Sequence, residues 1–326
     1  MNFCFQRTGL LLLLLFISHH SNSQDQKLHK LVFAPQWFPQ AQFAGYFVAL
    51  DKGFYREAGL DVEIIYPSAG VRNTSLLASG KADLISLFLT TGLSARSEKM
   101  NIVNIGQLSQ HSAILFVTKK SRGIGELSQL NGKKIAIWKI GFDEVPKALI
   151  KEKNLSVEWI PVLSTINLFM MDAVDAMTVM SYNEYDQIIN SGLDESELNS
   201  FPMSGYGFDV PEDGIYCLTT TFEKRKNELT EFMQATLKGW EYAQQNREYA
   251  VDVVVERMQS EHIPANRAHQ LWMLDKMLEM ISPGTKKVKK GCLLETDFQK
   301  ANDILIQSSN TYVQMSFTDF YKPVLN

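Results

Sequence analysis

The chain has 326 residues, 45% of them hydrophobic and 21% charged, with a formal net charge of −4 at pH 7. This is the balance of an ordinary globular protein with enough chain for two domains. Its net acidity argues against nucleic acid and anionic membrane surfaces as partners.

The N-terminus has to be set aside before the fold is read. Arg7 gives a positive start, Gly9 to Ile17 is an unbroken apolar run, and Ser21-Asn22-Ser23 supplies small residues before Gln24. The run is too short to span a bilayer, so residues 1–23 are expected to form a cleaved secretory signal peptide. Cys4 precedes the apolar run, which speaks against a lipid-modified cysteine. The mature chain is therefore expected to be periplasmic or secreted. Only Cys217 and Cys292 survive cleavage, and two cysteines are no disulfide framework, so separate thiols are expected.

The mature chain alternates between strand and helix patterns. "KLVFAP" (30–35) reads as a strand, residues 43–58 as a helix stopped by Gly59, and "DVEIIY" (61–66) as the next strand. A helix to Ser79 ends at Gly80, "ADLISL" follows as a strand, and "NIVNIGQLS" and "AILFVTKK" add two more. The pattern then restarts. "NGKKIAIW" (131–138) is a turn and a strand, a helix runs from about Phe142 to Lys153, "VEWIPV" is a strand, "INLFMMDA" a helix, and "DAMTVM" a strand before a helix around Tyr185. From Gly214, "GIYCLTT" leads into amphipathic helices over 227–245, 250–259 and 265–280, with a last helix near 296–307. The basic tract "GTKKVKKG" (284–291) is expected to be a solvated loop.

Strands alternating with helices of this length imply βαβ units and mostly parallel sheets. The expected fold is α/β with two lobes, each a mostly parallel sheet with flanking helices. Lobe 1 would comprise 29–118 and 214–326, and lobe 2 would be the insertion 119–213. Hinges would lie near Thr118 and Gly214. Ligands of open α/β sheets sit at the carboxyl ends of the strands, which here would meet in the cleft between the lobes.

Four segments, "WFPQAQFAGYFVALDKGFYREAGLDVEI", "LLASGKADL", "LNGKKIAIW" and "DAMTVMSYNEYDQI", resemble the NMT1/THI5-like family of periplasmic binding proteins. The resemblance covers nearly all of the mature chain. It implies the type II periplasmic binding-protein fold and a role as substrate-binding subunit of an ABC importer for thiamine pyrimidine precursors. It also admits an enzyme, the pyrimidine synthase of thiamine biosynthesis, which uses pyridoxal phosphate, a histidine of its own, iron and a cysteine-rich run. That chemistry needs an amine to hold the aldehyde and soft ligands for metal. Leu87 and Thr91 stand where the lysine and histidine should fall, and Cys217 is alone in "GIYCLTT". The loop Trp138-Lys139-Ile140-Gly141-Phe142 has one glycine, too few for a phosphate cradle. The synthase reading fails at each of these positions. No catalytic residue, metal site or cofactor is expected.

A binding role accounts for "QWFPQAQFAGYF" (36–47), where rings, prolines and amides cluster between a strand and a helix. An aminopyrimidine is flat and carries a donor–acceptor–donor edge. Trp37 would stack on it, with Gln40 reading a polar edge. Gln42 serves equally well as a ligand contact or a helix cap, and for Phe38 and Tyr46 packing at the helix start is the favoured reading. In the second lobe, Asn183 is a good N-cap, and Tyr182 and Glu184 resemble an aromatic and a glutamate that the family's pyrimidine binders place here. Glu184 alternatively complements only the helix dipole. Trp138 at a strand end joins the candidate set of Trp37, Gln40, Tyr46, Trp138, Tyr182 and Glu184. The expected partners are a small-molecule aminopyrimidine and an ABC transporter permease, with the protein acting as a monomer. A sulfonate or nitrate ligand is the alternative within binding proteins. It would want arginine, and Arg72 is the nearby candidate.

Overall fold

The computed structural model describes residues 27–67, 71–139, 142–163, 165–308 and 311–325. The expected signal peptide, 1–23, lies outside the described residues.

The chain begins with β1 (His29–Ala34), a 3-10 turn (Ala41–Phe43), α1 (Ala44–Asp51) and α2 (Phe54–Glu57). The single helix expected over 43–58 is thus two, because Gly53 adopts φ +74° between them, a left-handed turn that only glycine makes without cost. Next come β2 (Leu60–Ile64), α3 (Asn73–Ala78), β3 (Leu84–Phe88), α4 (Leu89–Ser97) and β4 (Ile102–Gln107). The middle of the chain supplies β5 (Ile114–Lys119), β6 (Lys134–Trp138), α5 (Glu144–Glu152), β7 (Glu158–Val162), α6 (Asn167–Met170), β8 (Ala176–Met180), α7 (Glu184–Asn190) and β9 (Leu198–Pro202). β10 (Asp213–Leu218) then leads into α8 (Thr219–Gln245), α9 (Arg247–Ser260), α10 (Arg267–Ile281), α11 (Glu295–Ser308) and the short α12 (Phe317–Phe320).

Two five-stranded sheets result, ordered β2-β1-β3-β10-β4 and β7-β6-β8-β5-β9. In each, one strand runs against the others: β10 in the first, β5 in the second. These two strands fill equivalent slots, and each is the first strand the chain lays down after crossing from the other lobe. This is the mostly parallel two-lobe architecture of periplasmic binding proteins.

The crossing point differs from expectation. The 118/119 boundary puts β5, the "AILFVTKK" strand, in lobe 1, yet it pairs with β8 and β9 of the second sheet. The first crossing is therefore the segment 108–113. A continuous apolar run marks a strand buried on both faces but carries no information on which sheet takes it. In β5, Ile114 and Phe116 face the main core, while Leu115 and Val117 face a smaller core with Met177, Val179 and Ile188.

The crossing segments are tied to one another. Glu212 N–H donates to Ser109 Oγ (2.8 Å), Ala113 N–H to Glu212 Oε1 (2.6 Å), and Ser112 N–H to Asp209 Oδ1 (2.9 Å). His111 Nδ1 lies 2.8 Å from Asp209 Oδ2. The basic tract is not wholly solvated, because Lys286 turns inward to Gln110 O and to Asp297 (3.1 Å). Away from the crossings, α11 of the first lobe packs against α5 of the second, and the main apolar core runs through both.

Candidate ligand-binding cleft

Strand ends build the site. β1, β3, β6 and β8 point their carboxyl ends into one interlobe space of about 720 Å³, partly continuous with solvent. The first lobe lines it with Gln36, Trp37, Gln40, Gln42 and Phe88. The second contributes Trp138, Phe142, Leu163, Met180 and Tyr182, together with Asn183, Glu184 and Gln187 at the start of α7.

The first-lobe wall is held by a buried carboxyl. Asp213, 4% exposed at the start of β10, accepts from the side-chain amides of Gln36 and Gln42, the latter at 3.0 Å. Gln40 Nε2 donates in turn to Gln42 Oε1 at 2.7 Å. Gln36 directly, and Gln40 through Gln42, thus converge on Asp213. Burial pushes the Asp213 carboxyl up to about 7, against the opposing hydrogen bond from Gln42. Gln36 N–H also donates to Ser86 Oγ (3.0 Å), which fixes the loop that carries Trp37. Trp37 is 39% exposed and meets Phe38 edge-on at 5.6 Å, leaving its ring free toward the cleft.

The second-lobe wall centres on Glu184. Its Oε2 accepts from Met180 N–H (3.0 Å), and its Oε1 from Trp138 Nε1 and Asn183 Nδ2, both at 3.3 Å. Burial raises the Glu184 carboxyl above its ordinary range, and these hydrogen bonds, beginning with Met180 N–H, oppose the rise. Tyr182 is 3% exposed, and burial drives its phenol well above the usual range, with Glu212, Asp213 and Glu184 adding to the shift. Phe142 sits in the left-handed region at φ +64°, a sparsely populated backbone for a bulky residue, and packs 4.3 Å from Phe88 across the lobes.

Five of the six sequence candidates share this cleft: Trp37, Gln40, Trp138, Tyr182 and Glu184. Tyr46 does not. It is 1% exposed in the core, its ring 4.5 Å from Phe33 and 6.4 Å from both Phe232 and Trp240. The 3-10 turn ahead of α1 rotates that face of the helix toward α8. Asn183 occupies the N-cap position but makes no capping hydrogen bond; its Oδ1 instead accepts from Gln187 Nε2 (2.8 Å) and faces His269 Nε2 (3.1 Å).

Gln36, Phe88, Phe142, Leu163, Met180 and Gln187 also line the cleft and are not among the sequence candidates. Phe88 and Met180 close strands β3 and β8, and the strand-end rule could have flagged them. Phe142 stands out in the sequence only as the end of the Trp138–Phe142 loop.

Leu87 is buried on β3 opposite Gly214, and Cys217 is a free, buried thiol pushed up to about 12 by its burial. Cys292 is also a free thiol. Arg72 is exposed ahead of α3 and does not border the cleft. Among the described residues, neither lysine nor arginine lines it.

The family described as NMT1/THI5-like matches residues 40–250. The formylaminopyrimidine-binding protein of Halalkalibacterium halodurans is 23% identical over 272 residues, which is 80% of this chain and 81% of that protein. A 4-amino-5-hydroxymethyl-2-methylpyrimidine phosphate synthase of Saccharomyces cerevisiae is 30% identical, but over 123 residues, 36% of either chain. Among solved structures, the periplasmic aliphatic sulphonate binding protein of Escherichia coli superposes with a TM-score of 0.68 at 13% identity, covering 86% of this chain and 92% of that one.

Proposed function

The chain belongs to the NMT1/THI5-like family, and from that premise and the chemistry of its cleft we propose that it is the solute-binding protein of an ABC importer for a thiamine pyrimidine precursor. The ligand is a flat aminopyrimidine such as hydroxymethylpyrimidine or its formylamino analogue. The observation that carries this reading is the pairing of an exposed indole, Trp37, with a buried carboxylate, Glu184, in a cleft lined by amides and aromatics and, among the described residues, without a lysine or arginine. A neutral, ring-shaped ligand with amino donors suits such walls. A sulfonate would meet Glu184 with no cation to offset it.

Binding rather than synthesis is favoured by the same lining. Aldimine formation needs a primary amine at the site, and the described residues of the cleft offer none. The relative that matches most of this chain's length carries a binding name, whereas the synthase match is partial. Export to the periplasm and delivery to a permease follow from this role. Among the described residues, no helix is long and apolar enough to cross a membrane.

Native mass spectrometry of the purified protein, followed by calorimetry with the retained compound, tests the proposal. A retained aminopyrimidine, with binding undisturbed by excess alkanesulfonate, is the expected result. Retention of a sulfonate, or tight binding of one that displaces the pyrimidine, would overturn it.

A further inference from the structure

One turn of α10 touches both walls of the ligand cleft. On the first-lobe side, Gln270 Oε1 accepts from Ala41 N–H at 2.7 Å, in the 3-10 turn beside Gln40 and Gln42. On the second-lobe side, Trp272 Nε1 donates to Ser181 O (2.9 Å). His269 Nδ1 lies 2.6 Å from Asp186 Oδ2, and its Nε2 lies 3.1 Å from Asn183 Oδ1. Ser181, Asn183 and Asp186 flank Tyr182 and Glu184, and Asn183 itself lines the cleft. α10 packs on α9 and on that 3-10 turn, both of the first lobe, so these contacts join the lobes at a place other than the crossings.

The His269 ring has an acceptor at each nitrogen. Asn183 Nδ2 donates to Glu184 Oε1 and Asn183 Oδ1 accepts from Gln187 Nε2, which fixes the amide with its oxygen toward His269. Asp186 Oδ2 is likewise an acceptor, taking Asn190 Nδ2 at 2.8 Å. Two acceptors are satisfied together only by a ring with a proton on both nitrogens, the imidazolium form. Both partners of the His269–Asp186 pair are largely buried. On α7 the charged groups facing the ring are Asp186 and Glu184, the latter near enough to feel the ring's charge. The 3-10 turn carries no titratable residue. The charges that α9 and α10 share are paired among themselves, Arg267 with Glu248 and Asp252, and Arg247 with Asp275.

We propose that His269 is a positioning residue of the cleft: its imidazolium holds the start of α7 against the first lobe and so fixes where Asn183, Glu184 and Gln187 stand. Loss of one ring proton removes a hydrogen bond to α7 and the charge of the ion pair. A ligand seated between the two walls favours the same arrangement, so ligand and proton stabilise each other. The effect on affinity rests on the proposed pyrimidine role; the contact between the lobes does not.

Two measurements on wild type, His269→Gln and Asp186→Asn test this. The first is calorimetry of hydroxymethylpyrimidine from about pH 5.5 to 8.5, a range that spans ordinary histidine titration. Asp213 and Glu144, both raised to about 7 by burial, titrate there too, so each wild-type affinity is divided by that of a variant at the same pH. Either ratio should fall by about tenfold from the acid to the alkaline end, the scale of a hydrogen bond to a charged partner. Asp186→Asn serves as the reference should His269→Gln fail to fold. The second measurement needs no ligand. Nitrogen-resolved histidine spectra, with His269 assigned by its loss in His269→Gln, should show both ring N–H protons in slow exchange at the acid end. One should vanish at the alkaline end, and the slow exchange should be lost in Asp186→Asn. A ratio that stays flat with pH, or a His269 ring with a bare nitrogen at the acid end, overturns the proposal. If hydroxymethylpyrimidine binds wild type at no pH, the functional reading fails, and the spectra alone uphold or overturn the His269 contact.

Discussion

Trp138 Nε1 donates to Glu184 Oε1 at 3.3 Å, joining the end of β6 to the first residue of α7 across the second-lobe wall. Glu184 is therefore held before any ligand arrives, with Met180 N–H on its other oxygen. A glutamine at this position would turn an amide toward one of these donors, losing an acceptor that is already in use. Glu184→Gln should lower the stability of the ligand-free protein by about 1–2 kcal/mol and weaken an aminopyrimidine by about 1.5–3 kcal/mol, with little loss for a ring lacking the amino group. Denaturant melts and calorimetry on both rings measure the two effects. Equal losses for both rings would make Glu184 a wall residue rather than a reader of the amino edge.

Trp37 should behave in the opposite way. It is 39% exposed, and its one aromatic contact is edge-on to Phe38. Trp37→Ala should cost about 2–4 kcal/mol of ligand binding, as for truncation of an anchoring aromatic, and within about 0.5 kcal/mol of stability, as for a surface site. Calorimetry beside a thermal melt decides it. Unchanged affinity would move the stacking position elsewhere in the cleft.

Asp213 gives a pH signature. Its carboxyl is raised by burial to about 7 in the folded state, from about 3.9 when unfolded. A raised folded value means that its stabilising contribution is complete below about pH 4 and is lost as the pH climbs through 7. Asp213→Asn removes that dependence. The stability of wild type relative to the variant should fall by on the order of 2–4 kcal/mol between pH 4 and 8, a difference that includes the upward push Asp213 gives the Glu212 carboxyl. Parallel stability curves would show that Asp213 ionises normally.

Gly239 tests the support behind the first-lobe wall. On α8 it lies against α1, and a Cβ there would run into the backbone oxygen of Gly45 and come within 2.8 Å of Ala49 Cβ. Backbone cannot yield as a flexible side chain can. Gly239→Ala should destabilise by about 2–4 kcal/mol through overpacking, visible as a lowered melting temperature. A neutral effect would mean that α1 and α8 separate easily, and with them the turn that carries Gln42.

Much of this molecule is written locally. The strands around Leu31, Val62, Ile135 and Met177 announce themselves by apolar runs between glycine and polar turns, and their alternation with helices dictates parallel sheets because a crossover helix returns the chain in the same direction. The rule that ligands meet strand ends, together with the family resemblance, singled out Trp37, Trp138, Tyr182 and Glu184, and these four line one cleft. Three matters needed the tertiary structure. β5 joins the second sheet because the slot between β8 and β9 is open to it, a fact absent from "AILFVTKK" itself. Tyr46 faces the core because the turn at 41–43 sets the rotation of α1, and Phe232 and Trp240, which receive its ring, lie almost two hundred residues away. The partners of Asp213, Glu144 and Glu212 are likewise set by packing: a sequence gives a carboxylate its place in the chain, and only the surrounding elements decide whether it meets water, a donor or an empty space.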